Sequence, residues 1–170
     1  IGARFGGALD DSARYFKSAF DRGITPAQFI DEMKNRGTNI PGIGHRIKSV
    51  SNPDMRVSLL KEWADKNLKR HKLLDYALAV EKLTTGKREN LILNVDGCIG
   101  VLFTDVLMQT GLYKSDDVDE IIINGTLNGI FVLGRTIGMI AHYLDQKRLG
   151  SKLYRHPWDD VLYMLPSEGE

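Results

Sequence analysis

Apolar residues recur at intervals of three and four along nearly the whole of this 170-residue chain, a period that belongs to packed helices. Leu9, Ala13, Phe16 and Phe20 form the first stripe, and Gly23 stands where a helix C-terminus favours glycine. Thr25-Pro26 predicts the next helix start, because threonine caps and proline suits the first turn. Phe29, Ile30 and Met33 share one face of that helix, and Gly37 closes it. Val57, Leu60 and Ala64 mark a third helix, expected to begin at Asn52-Pro53. Leu74, Ala77, Leu78 and Glu81 mark a fourth, stopping near Gly86. Ile99, Phe103, Val106 and Leu107 carry the period to Gly111. Ser115, with Asp116 and Asp117 behind it, is expected to cap a sixth helix whose dipole favours early acids. Ile130, Leu133, Ile137, Ile140, Ala141 and Leu144 belong to one long helix. The expected fold class is all-α.

Two segments depart from the period. Residues 37–53 hold three glycines and two prolines and are expected to form a loop. Residues 91–95 are a short apolar run that fits either a buried strand or a helix entry. Residues 154–170 mix aromatics with two prolines and are expected to pack as an extended arm.

A net charge of +1 gives no global field for nucleic acid, so any anion must be held by local clusters. No run approaches the ~18 apolar residues of a membrane span. Cys98 is the only cysteine, which rules out an internal disulfide and fits a reducing, cytoplasmic compartment. The chain opens on Ile1 and runs at once into Arg4-Phe5-Gly6-Gly7, which reads like the interior of a domain. It is expected to be a piece of a longer module.

Three constellations carry chemistry. In Gly42-Ile43-Gly44-His45-Arg46-Ile47-Lys48, a histidine sits between glycines and basic residues, where backbone N–H groups can approach an anion. Histidine also moves protons near neutral pH. The plain alternative is a loop histidine that caps a helix. In Asn94-Val95-Asp96-Gly97, an acid lies within an apolar run, where desolvation raises a carboxyl pKa toward values useful in proton transfer. The plain alternative is an aspartate N-cap. Arg56, Arg135 and Arg155 suit a polycarboxylate, since each guanidinium can grip a carboxylate in a fork; ordinary salt bridges are the alternative. Arg135 sits on or beside an apolar stripe, where an unpaired charge would be expensive. Lys34, Lys87 and Arg88 flank loops and offer either a solvated face or a phosphate site. His142 is expected to be a hydrogen-bonded core histidine, His71 to lie at the surface, and Cys98 to be a small core residue. No metal-binding or Walker motif is present, so metal and nucleotide sites are not indicated.

In order, these fragments resemble the citrate synthase superfamily. The G-x-G-H signature is Gly42-Ile43-Gly44-His45, followed by Pro53 and Arg56. The N-V-D context of the family's catalytic aspartate is Asn94-Val95-Asp96. R-x-x-G-x-x-A-H is Arg135-Thr136-Ile137-Gly138-Met139-Ile140-Ala141-His142, and the late arginine–proline motif is Arg155-His156-Pro157. Within the superfamily, Asn52-Pro53-Asp54-Met55-Arg56, Leu144-Asp145-Gln146-Lys147-Arg148 and Tyr154-Arg155-His156-Pro157-Trp158 are similar to the ATP-citrate lyase branch. Synthases differ by a histidine where this chain has Phe5 and by an arginine directly after the signature proline, where it has Asp54.

The resemblance implies a citrate synthase-like helical fold, with a small coenzyme A-binding domain over about 8–105 and large-domain or oligomerisation helices over about 106–170. It implies cleavage of citryl-CoA to acetyl-CoA and oxaloacetate within a cytoplasmic homotetrameric enzyme that supplies acetyl-CoA for lipid synthesis. His45 would accept the citryl hydroxyl proton, and a protonated Asp96 would deliver one to the departing enolate. Arg56, Arg135 and Arg155 would hold carboxylates, Arg155 from a neighbouring subunit. Coenzyme A would lie along the loop at Ile43 and Gly44, with Lys34, Arg46, Lys87 and Arg88 for its phosphates. ATP and Mg2+ would be used only by modules outside this chain, and the chain by itself would be inactive. The long helix would form subunit contacts, giving a dimer or higher, with no nucleic acid or membrane partner. A citrate synthase, a free-standing citryl-CoA lyase and a non-catalytic assembly or coenzyme A-binding module are the alternatives.

Overall fold

The computed structural model describes residues 7–150 and 152. Among these residues there are seven α-helices and no strand: α1 (Gly7–Asp21), α2 (Pro26–Asn35), α3 (Met55–Asn67), α4 (Lys72–Thr85), α5 (Val95–Gln109), α6 (Ser115–Ile123) and α7 (Thr126–Arg148). No single one is long and apolar enough to cross a membrane. Phe5, Arg155 and the expected arm over 154–170 lie outside the described residues.

Two compact units divide the chain, the first ending at Leu133 and the second starting at Gly134. The boundary expected at 105/106 falls inside α5, the helix around which the first unit is built. It packs on α1, α3, α4 and α6. Gly100 admits α1, since a Cβ there would stand 2.7 Å from the Leu9 carbonyl oxygen. One core joins Phe16, Phe29, Leu73, Leu74, Val80, Leu93 and Val101; another joins Leu9, Ala13, Leu107, Val118, Ile122 and Leu127. Phe16 and Phe29 tilt together at 5.3 Å between ring centroids, a favourable aromatic arrangement.

Several helix starts are set by local chemistry. Thr25 caps α2 in a reciprocal box with Gln28, as Thr25-Pro26 led one to expect. The start of α3 comes later than Asn52-Pro53, because the Asp54 carboxylate accepts from the Arg56 amide and makes Asp54 the cap. Residues 91–94 are neither strand nor helix. Ile43 and Leu93 form one isolated bridge, after which Asn94, not Asp96, caps α5 by accepting from the Gly97 amide at 3.0 Å. Ser115 is the first residue of α6 and not its cap. Its hydroxyl instead receives Lys17 Nζ at 2.8 Å, while Asp117 accepts from the Lys114 amide.

Lys17 is a buried lysine, only 1% exposed, whose three N–H donors meet Asp21, Ser115 and Asp119 at 2.8, 2.8 and 2.9 Å. Burial pulls its pKa down, but the two carboxylates outweigh burial and raise it. Two other helix N-termini are capped from a distance. Asp10 accepts from the Leu127 and Asn128 amides at the start of α7. Buried Asp105 accepts from the Leu73 and Leu74 amides of α4 at 3.1 and 2.9 Å. His71, at the N-cap position of α4, is less exposed than expected, lying between Asp65 and Asp75.

In the second unit α7 exposes Ile137, Met139, Ile140, Tyr143 and Leu144. His142 is exposed as well, and so is not the core histidine expected.

Asp105→Ala removes both acceptors while leaving the α4 amides buried, which should lower stability by about 1–3 kcal/mol. Asp105→Asn, which keeps one acceptor, should lose less. Urea unfolding of the three proteins measures this, and an Ala variant as stable as the parent would contradict it.

Candidate active site

The loop over 42–48 is pinned to the start of α5 by backbone groups. The Gly42 and Gly44 carbonyls accept from the Asn94 amide and the Asn94 Nδ2, both at 2.9 Å. The Gly44 amide donates to the Ile92 carbonyl at 2.7 Å, and that of His45 to the Asn90 carbonyl at 2.9 Å. This docking requires glycine on both sides. Gly42 has φ of +83°, and a Cβ on it would stand 2.5 Å from Gly97 Cα; a Cβ on Gly97 would meet the Gly42 oxygen at 2.5 Å. Asn94 therefore links the histidine loop to the helix whose second residue is Asp96.

His45 is half-buried, and its Nδ1 accepts from the Ile47 and Lys48 amides at 3.0 and 2.9 Å. With Nδ1 an acceptor twice over, the neutral ring carries its proton on Nε2. It can thus donate a hydrogen bond to a ligand oxygen but holds no vacant lone pair there to take a proton. This geometry favours a hydrogen-bond donor at Nε2 over the base that the motif led one to expect.

Asp54 and Arg56 complete the group. Arg56 Nε and Nη2 grip the buried Asp54 carboxylate at 3.0 and 2.7 Å, and this pairing holds Asp54 below the usual carboxylate range. The Arg56 side chain is 61% exposed, and its Nη1 donors are uncommitted among the described residues. It can grip a second carboxylate end-on. The Arg56 charge reaches both Asp54 and Asp96, and His45 lies within electrostatic reach of Asp54, so the four groups share one neighbourhood. Burial raises the Asp96 carboxyl above its ordinary value, and Arg56 only partly opposes this. The disfavoured charge makes Asp96 a stronger base when ionised. Asp54 is the anchor of Arg56 that the motifs do not single out, although an aspartate after proline and before a helical run is a cap signal.

Lys34, Lys87 and Ile43 line one cavity of about 530 Å3, with Met33, Ile40 and Leu91 as apolar wall. Arg46 and Arg88 are exposed but do not line it. None of these four cations pairs with an acid among the described residues. A smaller cavity of about 250 Å3 lies behind Asp54, walled by Val57, Leu78 and Leu93. Neither His45 nor Asp96 lines either of these cavities. Arg135 is exposed on α7 in the second unit. Cys98 is fully buried, and burial pushes its thiol up to about 12.

This arrangement, a glycine-flanked histidine loop docked on an aspartate-bearing helix, defines a class, and residues 1–157 match the model of the citrate synthase C-terminal domain. The chain belongs to the citrate synthase family. It is 58% identical over 167 residues to the probable ATP-citrate synthase subunit 1 of Neurospora crassa, covering 98% of this chain and 25% of that protein. It superposes with a TM-score of 0.84 and 60% identity on the ATP citrate lyase of Methanothrix soehngenii solved with citrate and coenzyme A, covering 99% of this chain and 27% of that one. A second solved structure, a Methanosaeta concilii ATP citrate lyase with one aspartate replaced by alanine and (3S)-citryl-CoA bound, matches at TM-score 0.79 and 60% identity, again over 99% and 27%. The chain thus spans about a quarter of the length of these relatives.

Two measurements check the site. In mildly alkaline buffer, long-range 1H–15N correlation should show His45 as the Nε2–H tautomer; a dominant Nδ1–H form would refute the loop geometry. For Asp96 the folded pKa lies above the unfolded one, so its charge destabilises the native state at neutral pH, and this penalty fades as pH falls through the folded value and is gone below the unfolded one. Asp96→Asn should therefore raise Tm at neutral pH, with the gain shrinking as the buffer is acidified. A lower Tm at neutral pH would contradict it.

Proposed function

We propose that this chain provides the site at which a longer protein cleaves citryl-CoA to acetyl-CoA and oxaloacetate. The observation that carries this reading is the docking of the His45 loop on the N-terminus of α5, which gathers His45, Asp54, Arg56 and Asp96. The relatives solved with citrate, coenzyme A and citryl-CoA support the choice of substrate.

Asp96, ionised, takes the proton of the citryl hydroxyl. The oxygen becomes a carbonyl as the neighbouring carbon–carbon bond breaks, and the bonding pair passes to the enolate of the thioester. Asp96, now protonated, returns the proton to the methylene carbon, so that no proton is gained or lost overall. His45 donates from Nε2–H to the citryl oxygen while its charge develops, a role its fixed tautomer suits. Arg56 holds a substrate carboxylate through the donors that Asp54 leaves unspent. Arg135 and Arg155 hold the others in this reading, on the strength of their motifs. Coenzyme A follows Ile43 and Gly44 into the cavity of Lys34 and Lys87, with Arg46 and Arg88 beside it. The apolar face of α7 (Ile137, Ile140 and Leu144) serves contact with further copies or with the rest of the protein.

The test uses the full-length parent enzyme supplied with preformed citryl-CoA. Asp96→Ala should slow oxaloacetate release by about 10²-fold or more, since positioned proton transfer is worth ~10²–10⁴. Release at a near-parental rate would remove Asp96 from the mechanism, and with it this proposal.

A further inference from the structure

Away from this site, three guanidinium groups converge on one cleft. Arg14 on α1, Arg22 just past its end and Arg36 at the end of α2 line a cavity of about 360 Å3 with Tyr15, Phe29 and Glu32. Glu32 is the only carboxylate in the lining and serves two of the cations. It accepts from Arg22 Nη1 and Nη2 at 3.3 and 2.9 Å and from Arg36 Nη2. Arg14 gives one N–H to Asp11, which does not line the cleft, and lies over the Tyr15 ring at 4.8 Å. Three cations against one anion leave the lining with a net charge of +2.

The unspent donors matter as much as the charge. A guanidinium carries five N–H donors, and Arg14 and Arg36 each commit one of them to a carboxylate. Their side chains are 53% and 55% exposed, so the remaining donors are open to a ligand from solvent. Below them Phe29 and Met33 form a buried apolar floor. Ion pairs so exposed hold little energy, and a better acceptor can take over their donors. Guanidinium forks approaching from two helices match an anion that offers oxygens in several directions.

We propose that the Arg14–Arg22–Arg36 cleft binds a phosphate or phosphate-monoester dianion. The site is separate from the cavity of Lys34 and Lys87, with which it shares only Met33 in the wall of α2. It does not depend on the thioester reading.

Inorganic phosphate titrated at constant ionic strength into the 15N-labelled chain is the test, with chloride as the control for screening. Phosphate, and not chloride, should shift amides around Arg14, Arg22 and Arg36 saturably. Arg14→Gln combined with Arg36→Gln should weaken this binding roughly tenfold or more, whereas Lys34→Gln combined with Lys87→Gln should leave it unchanged. Glu32→Gln removes the competing anion and frees two arginines, so it should tighten binding; this arm answers even if the arginine variant folds poorly. Equal shifts with chloride, shifts that vanish in the lysine variant, or weaker binding by Glu32→Gln would each overturn the proposal.

Discussion

The contact between Gly42 and Gly97 is the constraint on which the site depends. Two backbones meet there with no room for a Cβ on either, and that approach lets Asn94 bond both carbonyls of the histidine loop. One asparagine then does three jobs. It caps α5 through its side-chain oxygen, holds Gly44 through its side-chain nitrogen, and holds Gly42 through its amide. The loop is bound through its backbone, and the His45 ring is oriented from Nδ1 by two amides of the same loop. A side chain at either glycine would separate the histidine from the aspartate without touching either one.

Charge is distributed around this contact with a consistent logic. Asp54 is buried but neutralised by Arg56 and pushed toward its ionised form. Asp96 is half-buried without such a partner and pushed toward its neutral form. Two carboxylates in one neighbourhood thus have opposed tendencies, one held ionised and the other pushed toward its neutral form. Environments that drive like groups apart in this way are the usual means by which one site obtains distinct acid–base roles. In the proposed mechanism the desolvation that suits Asp96 to proton transfer also costs the fold stability, a familiar tension between activity and stability.

The helices and their ends were legible because the signals are local. Thr25-Pro26 marks a start by its own side chains, and the stripe Leu9, Ala13 and Phe16 is buried as its spacing implies. The histidine and aspartate motifs could be singled out for the same reason. What the sequence hid is every arrangement made across a long separation. Asp105 caps a helix that starts 33 residues earlier, and Lys17 sits within an apolar face yet is satisfied by Ser115 and Asp119 on α6. Ser115 looked like a cap, but its hydroxyl was taken by that lysine, leaving Asp117 to serve the terminus. The two amides that donate to His45 Nδ1 could not be read from its motif either. Residues 91–95 were ambiguous because they are in fact a hinge between bridge and helix, with one residue paired to Ile43 and the next already capping. The apolar stripe of α7 is regular and yet exposed, since periodicity states only that a face is apolar, not what covers it.

Cys98 has a practical consequence. The thiol is the only one in the chain, it is sealed within the α5 core, and its thiolate is strongly disfavoured. Thiolates are the species that react with maleimides, iodoacetamides and disulfide reagents. The natural chain is therefore silent toward such labels while folded. A cysteine placed by design in the histidine loop or on α7 would carry a fluorophore or spin label alone, without first removing the native sulfur, and unmasking of Cys98 would itself count the molecules that have opened.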